Sequence, residues 1–94
     1  MPLLLEWTKP AIADTDEIID YIFADNPAAA FDFEHLVHES ANNLTVLPYL
    51  GRLGRVPKTR ELIFHPNYAI VYEVGRESVK ILRIVHARRK YPNP

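Results

Sequence analysis

The 94-residue chain contains no cysteine, only three glycines and a single tryptophan. Without thiols it can form neither disulfides nor thiolate metal sites, on which small secreted domains usually depend, and this favours the cytoplasm. Its apolar runs are only a few residues long, against the roughly 20 residues needed to cross a bilayer, so we expect no membrane span and no membrane partner. No basic segment precedes the apolar residues 3–5, and we expect no export signal.

Charge is distributed unevenly along the chain. The net charge of -1 combines residues 1–46, which carry nine acids and one base, with residues 47–94, which carry three acids and ten bases. Such segregation predicts an interaction surface on the basic half for a nucleic acid or an acidic protein, unless folding intersperses the two halves. At this length we expect one domain over residues 1–94, with a basic C-terminal tail over residues 86–94.

The N-terminal half predicts one strand and two helices. The apolar residues 3–8 form a strand that ends at Pro10. A first helix over residues 10–24 is indicated by apolar side chains at helical spacing, namely Ile12, Ile18, Ile19, Ile22 and Phe23. Asn26 and Pro27 are typical of the cap and first turn of a second helix, which Pro48 ends. Its predicted buried stripe consists of Ala30, Phe33, Val37, Ala41, Leu44 and Leu47.

The C-terminal half predicts a loop and three strands. Two glycines and two prolines interrupt residues 48–58 among three cations, so this segment is predicted to be a loop and the most mobile part of the chain. Residues 60–65, 68–74 and 79–85 alternate with the period of a strand and indicate an antiparallel meander. The order β-αα-βββ predicts an α+β fold, in which a helical hairpin packs on one face of a mostly antiparallel four-stranded sheet.

Three segments in this order resemble the RelE/ParE toxins of bacterial type II toxin-antitoxin pairs. Residues 51–62 look like the loop and second strand of that family, residues 65–74 like its central hairpin, and residues 79–92 like its last strand and tail. The resemblance implies a RelE/ParE-like fold and a toxin neutralised by a cognate antitoxin, whose disordered segment folds as it wraps the toxin. It implies contact with operator DNA only through the antitoxin, and no cofactor or metal.

The resemblance leaves two targets open, because RelE-like members cut messenger RNA on the ribosome whereas ParE-like members poison DNA gyrase. A metal-independent ribonuclease needs a base, an acid and cations around the phosphate. RelE-like enzymes place an arginine directly after an aromatic residue of the central strand, where Ala69 follows Tyr68 here. Loss of one such cation costs about 10²- to 10³-fold in rate. The sequence therefore favours a ParE-like plasmid stabilisation toxin that inhibits gyrase without chemistry of its own. A ribosome-dependent mRNA endonuclease is the alternative, followed by a non-toxic binding module or co-repressor.

The resemblance and the basic half together nominate the site residues. The residues expected to contact the target are Arg52, Arg55, Lys58, Arg60, Arg83, Arg88, Arg89, Lys90 and Tyr91. Those expected to carry chemistry, if the chain is a ribonuclease, are Arg60, Arg83, His86, Arg88 and Tyr91. Those expected to bind the antitoxin are Leu62, Phe64, Tyr68, Tyr72 and Arg83. Structural roles remain open alternatives, since arginines on strands pair with acids and strand aromatics pack in cores.

Overall fold

The computed structural model describes residues 2–88. Its elements are, in chain order, β1 (Leu4–Trp7), α1 (Lys9–Asp25), α2 (Pro27–Asn43), β2 (Arg52–Leu53), β3 (Arg60–His65), β4 (Tyr68–Val74) and β5 (Ser78–His86). The predicted order of elements is therefore confirmed, with one strand added. Over residues 2–88, no helix is long and apolar enough to cross a membrane.

The strands form one mixed sheet with the order β1-β5-β4-β3-β2. β1 runs parallel to β5, whereas the other neighbouring strands are antiparallel. The α+β class is confirmed, but the expected four-stranded sheet is wrong by one strand. The additional strand is β2, whose two residues pair with Glu61 and Arg60 of β3 inside the segment predicted to be a loop. A strand of two residues is too short to show an alternating pattern in the sequence.

The helical hairpin covers one face of the sheet, with α1 packed on β5 and α2 packed on β3. The predicted stripe of α2 is confirmed by its buried members, which are Ala30, Phe33, Val37, Ala41 and Leu44. Leu47 is exposed, because α2 ends at Asn43 and not at Pro48. The α2 side chains meet Ile70 and Tyr72 of β4 in the core.

The buried stripe of α1 differs from the predicted one. Ala11 and Thr15 are the buried residues of this helix, and Ile18 and Ile22 pack against the same core. Ile12 and Phe23 are about half exposed, so their assignment to the buried stripe is wrong. The face of α1 that carries Ala11 and Thr15 packs on β5, and Ile12, one residue further along, is turned away from it by about 100°.

Polar side chains fix both helix starts. Asn26 accepts a hydrogen bond from the Ala29 N–H at 3.2 Å, which confirms the predicted cap of α2. Thr8 caps α1 by accepting from the Ala11 N–H at 3.3 Å, and its hydroxyl donates to the Ile81 carbonyl oxygen at 2.8 Å. The start of α1 is therefore tied directly to β5.

Candidate interaction site

Two arginines of the 48–58 segment converge on one buried carboxylate. The side chain of Glu61 on β3 is fully buried. It accepts hydrogen bonds from the Arg55 backbone N–H at 3.0 Å and from the Arg55 guanidinium at 2.9 and 3.2 Å. Arg52 Nη2 lies 3.5 Å from Glu61 Oε1. Arg52 and Arg55, both expected to contact the target, therefore hold the segment against the sheet.

Opposing effects act on the pKa of Glu61. Desolvation by burial raises the pKa, whereas the hydrogen bonds and charge of Arg55, together with a hydrogen bond from Arg52, lower it. The result is a pKa below the ordinary value of 4.5. Glu61 is therefore ionised at neutral pH and neutralises part of the positive charge that the sequence places in this segment.

Tyr72 anchors the beginning of the same segment. Its hydroxyl is buried, accepts a hydrogen bond from the Gly51 N–H at 2.9 Å and donates one to the Pro48 carbonyl oxygen at 2.7 Å. Arg60 Nη1 donates to the Gly51 carbonyl oxygen at 2.9 Å, and the Arg60 guanidinium lies 4.8 Å from the centre of the Tyr49 ring. A Cβ atom at position 51 would stand 2.7 Å from the Tyr72 hydroxyl, which explains the glycine there. The segment predicted to be the most mobile is thus anchored through both faces of the sheet.

Arg83 pairs with an acid of the first helix. Its Nε and Nη2 donate to the Asp14 carboxylate at 2.7 and 3.0 Å, and the same carboxylate accepts from the Ile84 N–H at 3.1 Å. β1 ends opposite Ile81, so Asp14 replaces a neighbouring strand at this part of the β5 edge. At this place folding therefore brings an acid of the N-terminal half against a base of the C-terminal half. This is the interspersed arrangement that the sequence analysis set against a separate basic surface.

Replacing Asp14 with alanine should lower the free energy of unfolding by about 1–2 kcal/mol, because the Ile84 N–H and the Arg83 guanidinium lose their acceptor. Urea unfolding at neutral pH measures the change. Asp16→Ala is the matched control, since Asp16 is exposed on the same helix. Both variants replace aspartate with alanine within α1, so the change in helix propensity is the same in each. Equal stability of the two variants would contradict an anchoring role for Asp14.

Two histidines flank Tyr68 in a row across three strands. The Tyr68 ring lies 5.4 Å from the His65 ring on β3 and 5.5 Å from the His86 ring on β5, between ring centres. His65 Nδ1 accepts from the Asn67 N–H at 3.0 Å, and His86 Nδ1 accepts from the Arg88 N–H at 3.2 Å. Burial lowers the pKa of His65 from its ordinary value of 6.5. The row is therefore a packed arrangement of rings in which the Nδ1 atoms of both histidines are already occupied by turns.

The residues nominated for ribonuclease chemistry are spread over the sheet. Arg60 pairs with Tyr72 on one side of β4, and His86 pairs with Tyr68 on the other side, four residues along the strand. Their backbones are therefore offset by roughly 13 Å along the strand direction, and β4 lies between them. Arg88 follows His86 in an exposed turn, whereas Tyr91, Arg89 and Lys90 lie outside the described residues. Within residues 2–88 the nominated cations and His86 do not form one cluster, and no three histidines or carboxylates could hold a metal ion together.

The residues nominated for antitoxin binding lie under the helical hairpin. Leu62, Phe64 and Tyr68 are partly buried against the core, and the Phe64 ring is 5.7 Å from that of Phe33 on α2. Tyr72 is fully buried. In the free chain its aromatic ring fills the core, and its hydroxyl bridges Pro48 and Gly51.

The sequence analysis missed a group of exposed apolar side chains that follows α2. Five large apolar side chains in this short stretch are each 54–77% exposed. They are Val46, Leu47, Tyr49, Leu50 and Leu53, and together they are called the loop surface below. Apolar residues among glycines and prolines have no helical or strand period, so periodicity does not identify them. Tyr49, Leu50 and Leu53 lie in the predicted loop, where their clustering was the available signal for an exposed apolar patch, whereas Leu47 had been assigned to the buried stripe of α2.

The chain is similar to known toxins in both sequence and fold. The family model described as the ParE toxin of type II toxin-antitoxin system, parDE, matches residues 5–91. The chain belongs to the ParE toxin family. Two curated relatives also carry toxin names. Toxin RelE2 of Caulobacter vibrioides is 40% identical over 83 residues, which cover 88% of this chain and 93% of the relative. The candidate toxin Y4kP of Sinorhizobium fredii is 36% identical over 89 residues, which cover 94% and 92%.

A solved structure supports the same assignment. The chain is similar to a chain of the chromosomal ParDE toxin-antitoxin system from P. aeruginosa, with a TM-score of 0.80 and 27% identity over 89% of this toxin and 95% of that chain. The suspected RelE/ParE membership is therefore confirmed. The names of these relatives include both RelE and ParDE, so they do not choose between the two targets.

Proposed function

We propose that this toxin inhibits DNA gyrase and thereby replication, and that a cognate antitoxin neutralises it. The observation that carries the proposal is at the centre of the sheet. Ala69 stands where RelE-like enzymes place an arginine, and it is 1% exposed in β4. A methyl group there can neither bind a phosphate nor stabilise the charge that develops during RNA cleavage.

The contacts of the arginines in the basic half support the same choice. A ribonuclease needs its acid, base and cations within hydrogen-bond reach of one phosphate. Here Arg83 is engaged by Asp14, Arg55 is engaged by Glu61, and Arg60 binds the Gly51 carbonyl oxygen. Gyrase inhibition makes a lighter demand, because a poison that performs no chemistry needs only a complementary exposed surface.

A ribosome-dependent mRNA endonuclease is the second candidate, and one observation favours it. The relative that is 40% identical carries the name toxin RelE2. A relative's name supports the ribonuclease less than the alanine at position 69 supports gyrase inhibition. The reason is that toxins of both target classes share this fold, so the fold does not specify which target is bound.

Induction of the toxin in growing bacteria separates the candidates. We expect filamentous cells and a DNA-damage response while protein synthesis continues, because blocked gyrase stops replication before it affects translation. Radiolabelled amino-acid incorporation and a damage-responsive reporter give the two readouts. Co-expression of the antitoxin is the control and should restore growth.

Each other outcome rejects the proposal in a different way. Prompt arrest of protein synthesis with cleaved transcripts would replace gyrase by the ribosome as the target. If cells that demonstrably express the protein grow normally, the protein is not toxic. It would then be a binding module or a co-repressor that acts with the antitoxin.

A further inference from the structure

The loop surface places five exposed apolar side chains within residues 46–53. Leu53 and Tyr49 project from the segment after α2 together with Val46, Leu47 and Leu50. Contiguous apolar patches on soluble proteins mark binding sites, because water is displaced from them at a gain in free energy. A partner is therefore indicated at this surface.

The backbone beneath the loop surface is rigidly held. The Tyr72 hydroxyl bridges Pro48 and Gly51, the Leu3 N–H donates to the Thr45 carbonyl oxygen at 2.9 Å, and the Gly54 N–H donates to the Thr59 carbonyl oxygen at 2.7 Å. The backbone that carries the apolar side chains is thus held in place before a partner binds. Preorganisation of this kind lowers the entropy cost of association.

Cations surround the apolar surface. Two shallow depressions with volumes of about 420 and 620 Å³ share Tyr49 and Val74 as lining residues. Lys58 and Arg60 line the first, Arg76 lines the second, and no carboxylate is among the described lining residues of either. An apolar floor with a positive rim is complementary to a segment that carries both apolar and acidic side chains.

The backbone at Lys58 supports a role for that rim. Its φ of 68° lies in the left-handed region, which favours glycine over any residue with a side chain. A lysine at this position accepts a conformational cost that glycine would avoid. Lys58 is the third residue of a turn that the Thr59 N–H closes on the Val56 carbonyl oxygen at 3.2 Å, so the turn fixes the place of the lysine in the rim.

We propose that the loop surface docks an acidic amphipathic segment of the antitoxin. This inference rests on the proposed toxin-antitoxin function and names the contact surface within it. The antitoxin is favoured over the target because highly apolar interfaces are typical of lasting complexes, and the antitoxin is the partner that keeps the toxin inactive. The nominated residues beneath the hairpin offer less exposed surface, since Tyr72 is fully buried and Phe64 and Tyr68 are partly buried.

Leu53→Glu tests the proposal against a matched control. Leu53 and Tyr21 are both 77% exposed, but Tyr21 lies on α1. The antitoxin encoded with this toxin, purified, is the binding probe, and calorimetry gives the dissociation constant. Leu53→Glu should weaken binding about 30-fold, as expected for an interface hot spot that acquires a buried charge. Tyr21→Glu should leave the dissociation constant unchanged.

Reversing the rim charges provides a second variant that leaves the apolar side chains in place. Lys58→Glu combined with Arg76→Glu should slow association about 10-fold at low ionic strength, since steering by exposed charges acts mainly on the on-rate. At 1 M salt, where the screening length is about 3 Å, the difference should disappear. A defect independent of salt would contradict the acidic nature of the docked segment.

Toxicity assays distinguish this inference from the proposed function. We expect Leu53→Glu to remain toxic and to escape neutralisation by the antitoxin. Loss of toxicity with intact antitoxin binding would assign the loop surface to the target and overturn the inference. Unchanged binding, or equal losses in the Leu53 and Tyr21 variants, would also overturn it. Concentration-dependent self-association of free toxin that Leu53→Glu abolishes, with antitoxin binding intact, would replace the antitoxin by a second copy of the chain.

Discussion

Replacing Glu61 with alanine should lower the free energy of unfolding by about 3 kcal/mol, because removal of one partner from a buried ion pair leaves the other uncompensated. The lower end of the usual range applies, since the Arg55 and Arg52 side chains are 38% and 59% exposed and can regain water. Chemical denaturation at neutral pH measures the loss. Glu77→Ala, at an exposed turn position, is the control and should change stability little.

Acid should reduce the difference between the native toxin and Glu61→Ala. The pKa of Glu61 is lowered in the folded state, so the carboxylate stabilises the fold fully above the unfolded value of 4.5 and loses this contribution as pH falls through its folded pKa. Unfolding curves measured from neutral pH to below pH 4.5 should converge. A difference that stays constant over this range would show that the ionised form of Glu61 contributes nothing.

Replacing Tyr72 with alanine should lower the free energy of unfolding by about 3–5 kcal/mol, as expected when a large buried aromatic side chain is deleted. Tyr72→Phe keeps the ring and should cost about 1–3 kcal/mol, because the Gly51 N–H and the Pro48 carbonyl oxygen lose their partner. The two variants therefore divide the contribution of Tyr72 between ring and hydroxyl. Thermal and urea unfolding measure both.

Hydrogen exchange shows whether the Tyr72 hydroxyl also holds the loop surface. In Tyr72→Phe the Gly51 amide should exchange faster, whereas amides in the middle of β5 should change only as much as global stability does. An unchanged Gly51 amide would contradict the anchoring role. Faster exchange together with weaker antitoxin binding would connect the anchor to the proposed docking surface.

The regular elements could be predicted from the sequence because their periods are local properties. The strands at residues 60–65 and 68–74 have the bounds that alternation predicts, and Asn26 and Pro27 mark the start of α2 correctly. The end of α2 and the strand β2 could not be predicted. Asn43 ends the helix before the proline that the sequence offers as a stop, and two residues are too few to carry a period.

The candidate site was less predictable, since its contacts join distant parts of the chain. The sequence nominates Arg83 as a basic residue but does not reveal that Asp14, 69 residues away, engages it. It likewise places Tyr72 on a strand without showing that its hydroxyl bridges Pro48 and Gly51. Residue type predicts which groups are charged or polar, whereas packing decides which of them remain available to a partner.

A supercoiling assay with purified DNA gyrase tests the central claim most directly. The toxin is added to gyrase, relaxed plasmid and ATP, and in parallel to ribosomes translating a defined messenger RNA. The account predicts that negative supercoiling is lost, that antitoxin restores it, and that the messenger RNA remains intact. Normal supercoiling accompanied by cleavage of the ribosome-bound messenger RNA would contradict it.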